Sequence, residues 1–235
     1  MARSGLADEY TDVTWLPTDD DLMRMAQTFE CEPGQPVFQS GMPAEHLYVV
    51  QSGSVKLVRP TSDKSKDYIL KILGPGDFVG AEAFFGSGVY RANAKALSRS
   101  QLLVLGRSEV YTFLRRHPKT ALHLLQAASQ ELESFEERLV ETAYEQGEKR
   151  LAHQLLELSR RFGVADNGSA YLKLNLTRTE LAELVGLRPE TTIRILSRWR
   201  ESGLLKEQDR HIVIEDRKRL EQLAEVDAAR NPFSA

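Results

Sequence analysis

A chain of 235 residues, 41% hydrophobic and 8% aromatic, is long enough to bury one large core or two ordinary ones, which sets it among globular proteins. Its one cysteine, Cys31, excludes an intrachain disulfide and leaves no four-thiolate set for an iron–sulfur cluster. The net charge of -3 gives no sign of a polyanionic partner, yet between Gly186 and Arg200 lie Arg188, Arg194, Arg198 and Arg200 against the single acid Glu190, a local basic patch.

Residues 1–22 are acidic (Asp8, Glu9, Asp12, Asp19, Asp20, Asp21), interrupted by Trp15, and read as a tail leading into a short helix. No apolar run approaches the roughly 18 residues of a membrane span, and the start MARSGLADEY lacks the basic and apolar parts of a secretion signal. No membrane partner and a cytoplasmic location are therefore expected. Within residues 23–116 the texture becomes short β-rich runs: Leu47-Tyr48-Val49-Val50, Val55-Lys56-Leu57-Val58, Tyr68-Ile69-Leu70-Lys71-Ile72-Leu73 and Leu102-Leu103-Val104-Leu105. Gly34, Gly41, Gly53, Gly74, Gly76 and Gly80 fall between or beside them, and glycine turns such corners without steric cost, which predicts an antiparallel β-barrel or jelly roll.

After Pro118 the period changes. Leu125, Ala128, Leu132, Phe135, Leu139, Thr142 and Gln146 alternate spacings of three and four, the pattern of a coiled-coil seam. A helix from about Thr120 to Gln146, in a segment 117–147 that ends on Gly147 as a hinge, would run about 40 Å. That exceeds what a small barrel covers, and Glu131, Glu133, Glu137 and Arg138 flank the seam. Both points favour a parallel homodimer over a helix folded onto its own barrel. A C-terminal domain, 148–235, opens with an amphipathic helix over Glu148 to Phe162 carrying Leu151, Leu155, Leu156 and Leu158, followed by a polar loop from Gly163 to Ala170.

Thr177 and Glu180 have the spacing of a capping box, so a helix begins at about Arg178, with Leu181, Leu184 and Val185 inward and Ala182 small enough for a close helix crossing. Gly186 suits a tight turn with positive φ, and Pro189 suits the first position of a second helix running to about Arg200. This is a helix-turn-helix. On the second helix Ile195, Leu196 and Trp199 make the apolar stripe, and Glu190, Thr191, Arg194 and Arg198 lie largely opposite. Glu190 and Arg194, four apart, match the major-groove chemistry of cytosine N4 and of guanine O6 and N7, while a solvated i,i+4 ion pair is the plainer alternative. After Ser202-Gly203, the runs Leu204-Leu205-Lys206 and His211-Ile212-Val213-Ile214 predict a β-hairpin wing. Thr177, Arg178, Thr179, Arg188, Thr191, Arg198, Lys206 and Arg210 are candidate backbone or auxiliary contacts; phosphate contacts position without specifying, and Arg188 can also approach a base.

The order of elements resembles the superfamily of the cyclic-AMP receptor protein and the fumarate–nitrate reductase regulator (CRP/FNR), from about Met23 onward. The likeness rests on Gly74-Pro75-Gly76-Asp77-Phe78-Val79-Gly80, Arg91-Ala92-Asn93-Ala94, Arg150-Leu151-Ala152 and Arg188-Pro189-Glu190-Thr191-Thr192-Ile193-Arg194. It implies an α+β fold: an antiparallel β-roll of cyclic-nucleotide-binding type, a long dimerisation helix and a C-terminal winged helix-turn-helix. It also implies a homodimer on a palindromic promoter site in double-stranded DNA, with RNA polymerase as a further partner and Glu190 and Arg194 on the bases. Pro189 and Ile193 depart from residues of the two best-known branches, so the site read should differ from either consensus.

The resemblance also sets the effector question. Cyclic-AMP receptors use a glutamate after the glycine matching Gly80, an arginine–serine pair, and a threonine–serine pair on the dimer helix, where this chain has Ala81, Arg91-Ala92 and Phe135-Glu136. Only Arg91 remains, as a buried arginine that holds a phosphate or bonds barrel carbonyls. Losing three polar partners at about 1–3 kcal/mol each argues against cyclic AMP. Glu82 is one position off the expected glutamate. His46, His117, His123, His153 and His211 lack metal-ligand spacing, His117 and His123 being read as surface residues, and haem is not expected. Cys31 would act as a redox switch only if exposed. No cofactor, metal site or catalytic residue is predicted, and no P-loop or nucleophile motif supports an enzyme. A sensor module that controls another protein without DNA is the alternative, and the unit from Thr177 to Ile214 argues against it.

Overall fold

The computed structural model describes residues 20–60, 67–144, 147–166, 169–172, 174–208 and 211–225. The acidic tail before Asp20, Gln146 and Arg210 lie outside them. The chain divides into two units, Met1–Glu136 and Glu137–Ala235.

In the first unit a short helix α1 (Asp20–Met25) precedes eight strands: β1 (Gln27–Cys31), β2 (Pro36–Phe38), β3 (His46–Ser52), β4 (Val55–Pro60), β5 (Asp67–Leu73), β6 (Phe78–Val79), β7 (Asn93–Ala96) and β8 (Ser100–Gly106). They pair antiparallel in two sheets, ordered β1-β8-β3-β6 and β2-β7-β4-β5. The four apolar runs of the sequence are β3, β4, β5 and β8. The other four escape a hydrophobic pattern for local reasons: β6 is two residues long, and β7 buries only Ala94 and Ala96.

Strand alternation builds two apolar clusters. One face of each sheet meets the other in a cluster containing Cys31, Val50, Val79 and Leu102 from the first sheet and Phe38, Leu57, Leu73 and Ala94 from the second. Leu47, Val49, Leu103 and Leu105 cluster instead with Leu22 of α1 and with Val110 and Phe113 of α2 (Arg107–Arg116). Asp21 staples these two helices, its carboxylate taking hydrogen bonds from Arg116 at 3.2 and 3.3 Å and meeting His117 Nε2 at 3.1 Å. Cys31 is 2% exposed, and burial pushes its thiol up, away from the reactive thiolate.

Helix α3 spans Pro118–Tyr144, starting two residues before the expected Thr120. Its seam residues Leu125, Ala128, Leu132, Phe135 and Leu139 are exposed, and Leu122 extends the stripe by one step. Thr142 is on the helix, but its side chain is outside those described. His123 is buried, contrary to the surface position expected of it.

The second unit contains α4 (Gly147–Phe162), β9 (Gly163–Asp166), β10 (Ser169–Leu172), α5 (Arg178–Val185), α6 (Pro189–Glu201), β11 (Leu205–Gln208), β12 (His211–Ile214) and α7 (Arg217–Glu225). Residues expected as a polar loop from Gly163 to Ala170 instead include paired strands, β9 with β10 and β10 with β12, so the wing hairpin sits in a four-stranded sheet, β11-β12-β10-β9. Asn167-Gly168 between the two runs is a strong hairpin signal that the polar composition hid.

Candidate DNA-reading site

The helix-turn-helix is built from local rules. Thr177 Oγ1 accepts from the Glu180 amide at 3.1 Å, and Glu180 Oε2 accepts from the Thr177 amide at 2.8 Å, which is the reciprocal capping box. Gly186 closes α5 at φ 69° and ψ 34°, in the left-handed region that favours glycine. Pro189 is at the start of α6, behind Arg188 in extended conformation at the N-cap. Leu181, Ala182, Leu184 and Val185 of α5 and Thr192, Ile195, Leu196 and Trp199 of α6 are buried.

The opposite face of α6 is outward. Glu190, Ile193 and Arg194 are exposed, as is Arg188 at the N-cap. Among the described residues no ion pair or hydrogen bond engages the side chains of Glu190, Arg194 or Arg188, so the plain i,i+4 ion pair between Glu190 and Arg194 is not formed. Thr191 is half-buried and Thr179 exposed at the starts of their helices.

Other residues expected to meet phosphates are held elsewhere. Arg198 is paired with Glu148 in the first turn of α4, and Trp199 Nε1 donates to the other oxygen of that carboxylate at 2.8 Å. Arg178 donates to Glu207 of the wing at 2.7 Å, and Lys206 lies 3.9 Å from Glu215. Thr177 commits its hydroxyl and amide to the capping box, the hydroxyl donating to Glu180 at 2.9 Å. Arg200, named in the sequence only as part of the basic patch and not as a contact, is exposed and its side chain has no partner among the described residues. It lines a groove of about 300 Å3 between α6 and the wing together with Arg178, Ile193, Lys206 and Ile212.

Two features were invisible in sequence. Glu148 clamps α6 to α4, and Glu207 ties α5 to the wing. Each partner lies 29 or more residues away along the chain, where no spacing rule operates.

The region matching the family's effector site has a different texture. Gly80, at φ 87°, sits where a Cβ would lie 2.7 Å from Tyr90 Cε1, and the Tyr90 ring stacks on Phe38 at 3.7 Å. The Tyr90 hydroxyl donates to the His46 carbonyl, and burial pushes that phenol well up. Ala81 is half-buried, and Ala92 is buried. Glu82 is exposed and paired with Lys71. Arg91, expected to be buried, is exposed and bonds no barrel carbonyl among the described residues. Tyr90 and Ala92 on either side are buried, in the segment that leads into β7. Phe135 and Glu136 are exposed on α3.

An antiparallel β-roll followed by a long helix and a winged helix-turn-helix with uncommitted charges on its second helix defines a DNA-binding transcription regulator. Residues 28–117 match the cyclic nucleotide-binding domain family, and residues 149–223 match the Crp-like helix-turn-helix domain family. The chain belongs to the CRP/FNR superfamily of bacterial transcription regulators, a family without enzymatic activity. It is 28% identical over 203 residues to the CRP-like cAMP-activated global transcriptional regulator of Mycobacterium tuberculosis, covering 86% of this chain and 90% of that one. It is 28% identical over 193 residues to the fumarate and nitrate reduction regulatory protein of Escherichia coli, covering 82% and 76%. The structure of FixK2 from Bradyrhizobium japonicum superposes with a TM-score of 0.72 at 28% identity, covering 84% of this chain and 96% of that one. No described helix is long and apolar enough to cross a membrane.

Proposed function

We propose that this regulator binds an inverted-repeat promoter site in double-stranded DNA as a homodimer, through half-sites about one helical turn apart. The observation that carries the reading is the pair Glu190 and Arg194: both are exposed on the second helix of the helix-turn-helix and neither is engaged within the described residues. Charges left uncommitted on a groove-sized helix are free to bond base edges, which present their acceptors and donors in the major groove. Arg188, Arg200, Thr179 and Thr191 flank them for phosphates, and Arg178, Lys206 and Arg198 reach phosphates only by leaving their acids. The exposed stripe of Leu125, Leu132, Phe135 and Leu139 supports pairing of α3 with its copy. Bound near promoters in the cytoplasm, the dimer would meet RNA polymerase.

Control by cyclic AMP is not part of this reading, although the Mycobacterium tuberculosis relative is named for it. Ala81 and Ala92 offer no polar group where ribose and phosphate would need one, Phe135 stands in for a hydroxyl, and the chain's one cysteine cannot hold an iron–sulfur cluster. The protein acts with another effector or with none, and neither haem nor another metal cofactor enters the account. Selection from a random DNA pool by the ligand-free full chain tests the whole reading. An enriched inverted repeat is expected; recovery of no common sequence would overturn it.

A further inference from the structure

Ile193 is 47% exposed, and among the described residues after α3 it is the one large apolar side chain left exposed. It stands one residue before Arg194 and three after Glu190, so at about 100° per residue all three share the outward half of α6. Thr192, Ile195, Leu196 and Trp199 turn the other way into the core. Ile193 also borders the groove toward the wing, beside Ser197, Lys206 and Ile212.

A branched hydrocarbon aimed at base edges can be matched by one feature only. Every base presents an acceptor or donor in the major groove, thymine O4 included, that isoleucine would strip of water and leave unpaired if it covered that atom. Thymine presents a C5-methyl group, which an apolar side chain covers at no hydrogen-bond cost. The β-branch adds to this, because Ile193 in a helix is held in essentially one χ1 rotamer and loses little freedom on contact.

We propose that Ile193 reads the C5-methyl of a thymine next to the bases contacted by Glu190 and Arg194, making it a third specificity residue. The inference rests on the DNA-reading assignment above and adds to it the identity of one base pair.

Replacing thymine by uracil removes that methyl and nothing else. The test uses the duplex enriched by the wild-type full chain, with each thymine of a half-site replaced in turn by uracil, and measures binding by wild type and Ile193→Ala. At about 0.8 kcal/mol for one buried carbon group, wild type should bind about fourfold more weakly at one thymine of the half-site. Ile193→Ala should bind the thymine and uracil duplexes equally. Two results overturn the proposal: no thymine whose demethylation matters to wild type, or an Ile193→Ala protein that keeps the same uracil penalty and so loses equally on both duplexes, as a packing role in the wing groove would give. Arg194→Ala distinguishes the levels. If it still relaxes base preference while the uracil effect is absent, Ile193 alone is misassigned; if no duplex is enriched, both assignments fall.

Discussion

Leu132 keeps 60% of its surface exposed on α3. Fully burying a leucine stabilises by about 1.5–3 kcal/mol, so about 1–2 kcal/mol per protomer is left for a partner helix to supply. A two-fold interface uses every position twice, and Leu132→Ala should therefore weaken the dimer by about 2–4 kcal/mol, roughly 30-fold or more in Kd. Sedimentation equilibrium of the full chain from nanomolar to micromolar concentration measures this directly. Phe135→Ala, at 52% exposed, should behave alike, whereas Tyr111→Ala, at 45% exposed on α2, should leave association unchanged. A dimer of unaltered affinity in both α3 variants, or an equal loss in Tyr111→Ala, would refute the reasoning from exposed seam to partner.

Glu207→Gln frees Arg178 for phosphate, so affinity for random duplexes should rise and the slope of log K against log salt should steepen by about one unit per protomer; an unchanged slope in filter-binding titrations would count against that competition. Glu148→Gln removes the charge that Trp199 Nε1 and Arg198 share. The hydrogen bond to a carboxylate is worth about 1.5–3 kcal/mol, the half-exposed Arg198 pair adds little, and amide replacement should cost about 1–2 kcal/mol. In a Trp15→Phe background Trp199 is the sole tryptophan, and its thermal transition should move down; an unmoved transition would show that the clamp carries no stability. Asp21 has its carboxyl held below the ordinary 3.8 by the His117 hydrogen bond and by Arg116. A depressed carboxylate contributes stability above its unfolded value and loses it as pH falls through the folded one, so the wild-type melting temperature should drop more steeply below about pH 3.8 than that of Asp21→Asn. Parallel curves would exclude the staple.

The helix-turn-helix was legible because its rules are local. A hydroxyl three residues before a carboxylate, a glycine after an apolar run and a proline opening the next helix fix Thr177, Gly186 and Pro189 within a dozen residues. The β-roll was legible only where strands are rich in branched residues: β7, with Ala94 and Ala96 inward, and the polar β9 pair without such a signal. Charge was the least legible property. Arg178, Arg198 and Lys206 look as available as Arg188 and Arg194 in sequence, and what separates them is acids brought near by tertiary packing: Glu207, Glu148 and Glu215. Arg91 was misread because its family role suggested burial, while the segment leading into β7 buries Tyr90 and Ala92 and leaves Arg91 between them exposed.

That Arg194 reads a base is the point on which the function turns. Affinity of the full-length Arg194→Ala protein for the enriched duplex and for a random duplex, at one fixed salt concentration, tests it most directly. The enriched duplex should lose about 1–3 kcal/mol, some 5- to 150-fold, while binding to random DNA changes little. Equal losses on both duplexes would make Arg194 a phosphate contact and contradict the account.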